Sequence, residues 1–314
     1  MAVVAQKREA ASKPGNYLLD NERFLGVAML LPAIAYIVLL VGFPFVLAIL
    51  YSFSDVKTGD LSLDFVGLRT FETVVRDPDF QRALGNTFLF TLLSQGLVIL
   101  LANILALALR QEFRGKWLFR FLILLPWAAP IALGTIAWVW MLDSLFSPID
   151  WVLRNLGLLG PGGILGSGTN MIWLGKPNLA FLSVVLVHTW RMVPLSTVIL
   201  LAGHTAIPKD IKDAVAVDGV GFWRELFEVT LPLMRPIIAV ALLFGVVFTF
   251  TDMTVVYVLT RGANNTQVLA SWAYFKGITG GDLAQGAAIA LFLFPVLLAV
   301  VVFMLRVARR SELT

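Results

Sequence analysis

The sequence has no cysteine and only two histidines, His188 and His204, in 314 residues. The first absence excludes disulfides, thiolate metal sites and cysteine nucleophiles, and leaves the redox compartment open. The second excludes a histidine-only metal centre. Charge is scarce too, with Asp, Glu, Lys and Arg making up 14% of the chain. No Gly-x-x-x-x-Gly-Lys-Ser/Thr motif occurs: Gly115-Lys116-Trp117 and Gly175-Lys176-Pro177 lack both the upstream glycine and the hydroxyl, so this chain is not expected to hydrolyse ATP itself. Apolar residues are abundant instead, at 59%, with a mean hydropathy of +0.86, too apolar for a water-soluble globular protein of this size. The net charge is +4, yet the Lys and Arg residues lie almost wholly between apolar runs rather than in one patch, which speaks against a nucleic-acid partner and for membrane lipid.

A bilayer core requires about 20 apolar residues in a helix, because lipid offers the backbone amides no other partner. Six segments meet that requirement, at residues 24–53, 86–109, 117–142, 178–202, 236–259 and 283–305. The first follows Lys7, Arg8, Lys13 and Arg23, as a secretion leader would, but it is too long and lacks a small-residue cleavage site, so it is read as a retained span. The basic residues before the first span, at 110–120, at 209–235 and in the tail outnumber those of the other connections fifteen to eight, which places both termini in the cytoplasm. The domain plan is then a tail over 1–23, a membrane domain over 24–307 and a second tail over 308–314.

Of the connections on the other side, 61–85 carries Phe71, Val74, Val75, Phe80 and Leu84 at helical spacing, either along the membrane surface or as a packed loop helix. The connection 147–176 is rich in glycine and is expected to be mainly turn and loop. On the cytoplasmic side, 203–235 is far longer than a link between neighbouring helices needs to be. There Pro208 suits a first helical turn, Asp210 and Asp213 suit its positive end, and Gly219 can close it in a left-handed conformation. A second helix is expected over 222–229, with Phe222, Trp223, Leu226 and Phe227 at amphipathic spacing before Pro232.

This loop resembles the EAA loop of ABC importer permeases: an acidic residue, two small residues, an Asp-Gly pair and a later Leu-Pro. Here these are Asp213, Ala214, Val215, Asp218, Gly219, Leu231 and Pro232, with Asp213 in place of the usual Glu and Val215 in place of a second small residue. The resemblance runs through Val66-Gly67-Leu68, Ala83-Leu84-Gly85-Asn86-Thr87, Arg114-Gly115-Lys116, Leu125-Pro126-Trp127, Trp173-Leu174-Gly175 and Ala287-Ala288, and is to carbohydrate permeases of the maltose or glycerol-phosphate type. It implies an all-α polytopic protein of six transmembrane helices with the type I importer permease fold, in the cytoplasmic membrane of a bacterium or archaeon. It also implies that Ile207, Pro208, Phe222, Trp223 and Phe227 join the motif residues in coupling to an ATPase. The partners implied are a second, related permease, two copies of a cytoplasmic ATPase that holds ATP and Mg, and an extracytoplasmic solute-binding protein.

Charges within a span are costly, so Arg191 and Asp252 are candidates either for solute binding or for mutual pairing. Around them stand Trp127 between Pro126 and Pro130, where the helical ladder should break, His188 ahead of Arg191, and Phe248, Thr249 and Tyr257 flanking Asp252. An aromatic face with convergent polar groups is what a sugar ring requires, and ordinary helix packing is the alternative for each aromatic. The resemblance places the solute-contacting positions at Trp127, Ile131, His188, Met192, Leu195, Phe248, Thr249 and Asp252. The solute can then be a di- or oligosaccharide, a glycerol phosphate or a polyol. A secondary transporter with Asp252 and Arg191 as coupling residues is the rival reading, against which the long loop weighs. An intramembrane enzyme lacks any Ser-His, paired-Asp or metal constellation.

Overall fold

The computed structural model describes residues 22–310. Expectations about the tail at 1–21, and about 311–314, lie outside the described residues. The described chain divides into two compact units, the first ending at Leu50 and the second beginning at Tyr51. The first holds most of a single apolar helix, α1 (Leu25–Ser52). Its ladder widens into a π turn over Val38–Gly42, directly ahead of Pro44, whose ring cannot donate to the preceding turn.

In the second unit the helices are α2 (Arg69–Arg76), α3 (Pro78–Arg110), α4 (Lys116–Ala128), α5 (Ile131–Met141), α6 (Pro148–Asn155), α7 (Pro177–Ala206), α8 (Lys209–Val217), α9 (Phe222–Leu233), α10 (Arg235–Thr251), α11 (Thr254–Thr260), α12 (Leu269–Tyr274) and α13 (Leu283–Arg310). Among the described residues of both units, four helices are long and apolar enough to cross a membrane, and two bent pairs bring the number of spans to as many as six. The described residues contain no strand, only the isolated bridges Ser54–Phe65 and Lys57–Asp60.

Several boundaries differ from those expected. The second span begins at Pro78 rather than at 86, because Asp77 caps it, its carboxylate accepting from the Asp79 amide at 2.9 Å with Pro78 in the first turn. The third span breaks into α4 and α5 with a bend of 99° at Ala129 and Pro130, where proline removes the donor the ladder needs. The fifth is not continuous over 236–259: it opens on a 71° bend after α9 and breaks again at Asp252 and Met253. Helix α2 is packed rather than laid on a surface, since Val74 and Phe80 are buried with Leu269, Trp272 and Ile289. The glycine-rich connection 147–176 contains α6, and its buried Asp150 accepts the Met171 amide and the Trp173 indole N–H, both at 2.9 Å.

The core of this unit is the pairing of α3 with α7. Ala102 and Ala106 let the backbones approach and meet Leu200, Met234 and Ala241. Farther along, Phe90 packs on Val184, Val187, Val255 and Val256. Near the start of α13, Gly286 lies against Gly277 so closely that a Cβ on Gly277 would stand 3.1 Å from the Gly286 Cα.

Asp77 also pairs with Lys276 at 3.0 Å, tying the start of α3 to the turn before α13. Partial burial pulls its pKa upward, but the Lys276 hydrogen bond, the Asp79 amide and the ammonium charge outweigh this and hold the carboxyl below its ordinary value. Such a group stabilises the fold above its unfolded pKa, about 3.9, and loses that contribution as pH falls through its folded value. Asp77→Ala is therefore expected to lower stability by about 1 kcal/mol at pH 7. Thermal unfolding in detergent should show the gap between variant and parent narrowing below about pH 4; a gap that stays constant with pH would show that the ion pair contributes nothing.

Candidate functional site

Helix α10 ends at Thr251 because Asp252 takes an extended backbone conformation, with φ −79° and ψ 115°. Its Oδ1 accepts the Thr254 amide at 2.8 Å and so starts α11. Its Oδ2 accepts from Arg191 Nη1 at 2.6 Å and lies 3.2 Å from His188 Nδ1. The two charges sit almost out of reach of solvent, with side-chain exposures of 12% for Arg191 and 6% for Asp252. Of the two readings open for these charges, mutual pairing is therefore the arrangement observed.

The network continues away from the carboxylate. His188 Nε2 is 2.9 Å from Thr249 Oγ1, and Gln95 Nε2 donates to the same hydroxyl at 2.7 Å. With its proton on Nδ1, His188 donates to Asp252 and accepts from Thr249, giving a chain of donors from Gln95 through Thr249 and His188 to Asp252. Such a chain pairs His188, Thr249 and the Asp252 carboxylate in a medium where an unpaired polar group is costly, and leaves the buried Gln95 Oε1 without a partner among the described residues.

Aromatic groups close the cluster. The Arg191 guanidinium lies 5.9 Å from the centre of the Trp127 ring, and Trp127 meets Phe248 edge-on at 5.6 Å. Phe90 packs edge-on against His188 at 4.9 Å. The fold thus brings together Trp127, His188, Arg191, Phe248, Thr249 and Asp252 from α4, α7, α10 and the break after α10. Two expected residues lie outside the hydrogen-bonded network. Met192 is fully buried with Val98 and Val193 in a cluster that Trp127 and Leu195 pack against, while Tyr257 pairs with Tyr274. Reasoning from sequence passed over Gln95, Phe90 and Thr254. Gln95 had a signal, as a lone amide in an otherwise aliphatic stretch of span. The Thr254 amide follows locally from Asp252 two residues earlier, whereas Phe90 had no signal, since only the fold brings it to the site.

The second candidate region is the hairpin after α7. Ile207 packs into the α3–α7 core and roots it. Pro208 caps α8, no residue of α8 is buried, and Val217 at its end is 87% exposed. Asp213, Ala214 and Asp218 are exposed on this helix and Val215 is half-buried. Gly219 closes it with φ +64°, its amide donating to Ala216 and that of Val220 to Val215. Helix α9 is longer than the expected 222–229 and runs on through Leu231 and Pro232, widened by a π turn over Glu225–Thr230. Burial and the nearby Arg110 charge lower the pKa of Lys212, which donates to the His204 carbonyl at 3.3 Å and so holds α8 to the end of α7. Along α9, Phe222 meets Trp223 edge-on and Trp223 stacks on Phe227.

A family model described as binding-protein-dependent transport system inner membrane component matches residues 98–312. The chain is 29% identical over 295 residues to the sulfoquinovosyl glycerol transport system permease protein SmoG of Agrobacterium fabrum, covering 93% of this chain and 92% of that protein. It is likewise 29% identical over 290 residues to the trehalose/maltose transport system permease protein MalF of Thermococcus litoralis, with coverages of 92% and 95%. Among solved structures it superposes on a chain of a bacterial ABC transporter involved in the import of the acidic polysaccharide alginate, with a TM-score of 0.77 at 21% identity, over 93% of this chain and 98% of that one. That likeness gives the fold, the all-α polytopic fold of ABC importer permeases.

Breaking a buried ion pair from one side leaves an uncompensated charge, at a cost of about 3–5 kcal/mol. Arg191→Gln and Asp252→Asn are each expected to destabilise the chain by roughly 3 kcal/mol. The double variant should lose about 1–3 kcal/mol less than the sum. Unfolding in detergent measures all three, and additivity to within about 0.5 kcal/mol would show the two side chains to be uncoupled.

Proposed function

The chain belongs to the family of binding-protein-dependent transport system inner membrane components, and we propose that it forms one half of the translocation pathway of an ATP-driven sugar importer and seats the ATPase on the hairpin that starts at Ile207. As a multi-pass inner-membrane permease it is a transport component rather than an enzyme. In this reading a second, related permease supplies the other half of the pathway. Two ATPase copies hold ATP and Mg, and a solute-binding protein delivers cargo on the opposite side. Residues 24–307 form the membrane domain, with both tails in the cytoplasm.

The observation that carries the proposal is the contrast within the hairpin. Its root at Ile207 is fixed in the core while α8, immediately beyond, buries none of its residues and ends in the exposed Val217. A rigid stem with an uncovered apolar tip suits a lever gripped by another protein, since a two-state machine transmits differential contacts from one element to the next. Asp213, Ala214, Val215, Asp218 and Gly219 are the contact and turn residues in this reading. Closure of the ATPases moves α8, and the α7–α10 core carries the displacement to the break at Asp252.

The solute path is assigned to the aromatic pair Trp127 and Phe248, with the network of His188, Arg191, Thr249 and Asp252 behind it. Both named relatives carry sugar-containing solutes in their titles, sulfoquinovosyl glycerol in one case and trehalose or maltose in the other. Pairing with Asp252 occupies the Arg191 charge, which favours a neutral sugar over a glycerol phosphate. The same pairing, and the capping of α11 by Asp252, leaves that carboxylate little freedom to serve as an ion-coupling group.

Gly219 has open space around it, so a side chain there meets backbone strain alone, about 1–2 kcal/mol for a left-handed residue. Gly219→Leu and Asp213→Lys are each expected to leave the chain inserted in the membrane while uptake falls to background and the copurifying ATPase is lost. Normal uptake in both variants would overturn the coupling role. Uptake measured against a panel of neutral sugars and glycerol phosphates should respond to a sugar.

A further inference from the structure

A groove of about 780 Å³ runs between the second half of α3 and the α9–α10 corner, a place that neither the solute path nor the α8 tip explains. Its α3 wall extends from Gly96 to Leu107, which at about 1.5 Å per residue is roughly 16 Å, or one leaflet of a hydrocarbon core about 30 Å thick. The opposite wall is Trp223, Phe227 and their neighbours on α9. Leu100 and Ile104, at 57% and 53% exposure, continue the groove outward onto the apolar face of the span, so its open side is the side that meets lipid.

The polar side chains that line the groove are Asn103 and Arg235. The Asn103 side-chain oxygen is engaged by His204 Nε2 at 3.1 Å, while Arg235 is exposed and has no acidic partner among the described residues. The neighbouring Arg224 is already paired with Glu228 at 2.8 Å. A leaflet-long apolar trough, an indole at its edge and one unneutralised guanidinium at its mouth match a phospholipid: acyl chain along α3, headgroup at Arg235.

We infer that this groove binds an anionic phospholipid, with Trp223 and Phe227 against its acyl chain and Arg235 on its headgroup phosphate. The aromatic side of α9 then faces the membrane, and α8 alone of the two hairpin helices is left for a soluble partner. The lipid anchors the return arm of the hairpin at the depth of the leaflet boundary, so that the hinge between α9 and α10 at Met234 moves against a fixed support.

The test reads lipid contact and needs no transport activity, so it stands or falls separately from the importer reading. The full-length chain, with whatever subunits copurify, is reconstituted in equimolar phosphatidylglycerol–phosphatidylcholine vesicles in which either one lipid or the other is brominated. The emission of Trp223 is obtained as the difference between the parent and Trp223→Phe. Quenching of that component is expected in both, with a preference of about fivefold for the anionic lipid, the effect of one arginine near a charged surface. Arg235→Gln should abolish the preference and Arg235→Lys should retain it. No quenching of the Trp223 component would mean that protein covers the groove. Equal quenching by the two lipids in the parent would mean that lipid lies there without headgroup recognition. Either result overturns the proposal.

Discussion

A single carboxylate placed where lipid surrounds the protein constrains much of this chain. Asp252 cannot be left bare in a low-dielectric interior, and it cannot be satisfied by one partner. One of its oxygens starts α11 through the Thr254 amide, and the other takes the Arg191 guanidinium. The break in the fifth span and the seating of the fourth are thus consequences of the same charge. His188, Thr249 and Gln95 extend the requirement to α3, because each must find its own partner once water is excluded.

Close backbone approach is the second condition. Gln95 reaches Thr249 because Gly245 leaves it room; a Cβ on Gly245 would overlap the Gln95 amide. Ala102 and Ala106 serve the same end farther along α3, and Gly203 lets the end of α7 meet Met234 and Ile237 with a Cβ clearance of only 3.0 Å. Where apolar transfer between lipid and protein gains little, contact at this distance and interhelical hydrogen bonds supply the association. The hairpin inherits its rigidity from that packing, since Met234 and Ile207 belong to the same cluster as Ala102 and Leu200.

The division of labour between hairpin and spans follows from where each surface is covered. Helix α8 buries none of its residues completely and is tied to the end of α7 through Lys212, while α9 shares a groove with a membrane span. The tip of α8 at Val217 is thus left open to a partner, while the aromatic side of α9 is occupied in lining that groove.

Much of the fold was legible in the sequence because lipid permits so few solutions. Apolar runs long enough to cross a bilayer, prolines at 126 and 130, and a glycine at 219 have nearly unique structural readings. The two intramembrane charges were legible as a site for the same reason. Helix ends were less so: α3 begins at Pro78 because Asp77 caps it and Lys276 holds it, and Lys276 lies far along the chain. Tertiary structure alone decided that Arg191 spends its charge on Asp252, that Met192 is buried in an apolar cluster against which Trp127 packs, and that Gln95 and Phe90 adjoin the network. Hydropathy and spacing specify which groups cannot tolerate lipid. Which partner relieves each of them depends on distances between helices, and those exist only once the helices have packed.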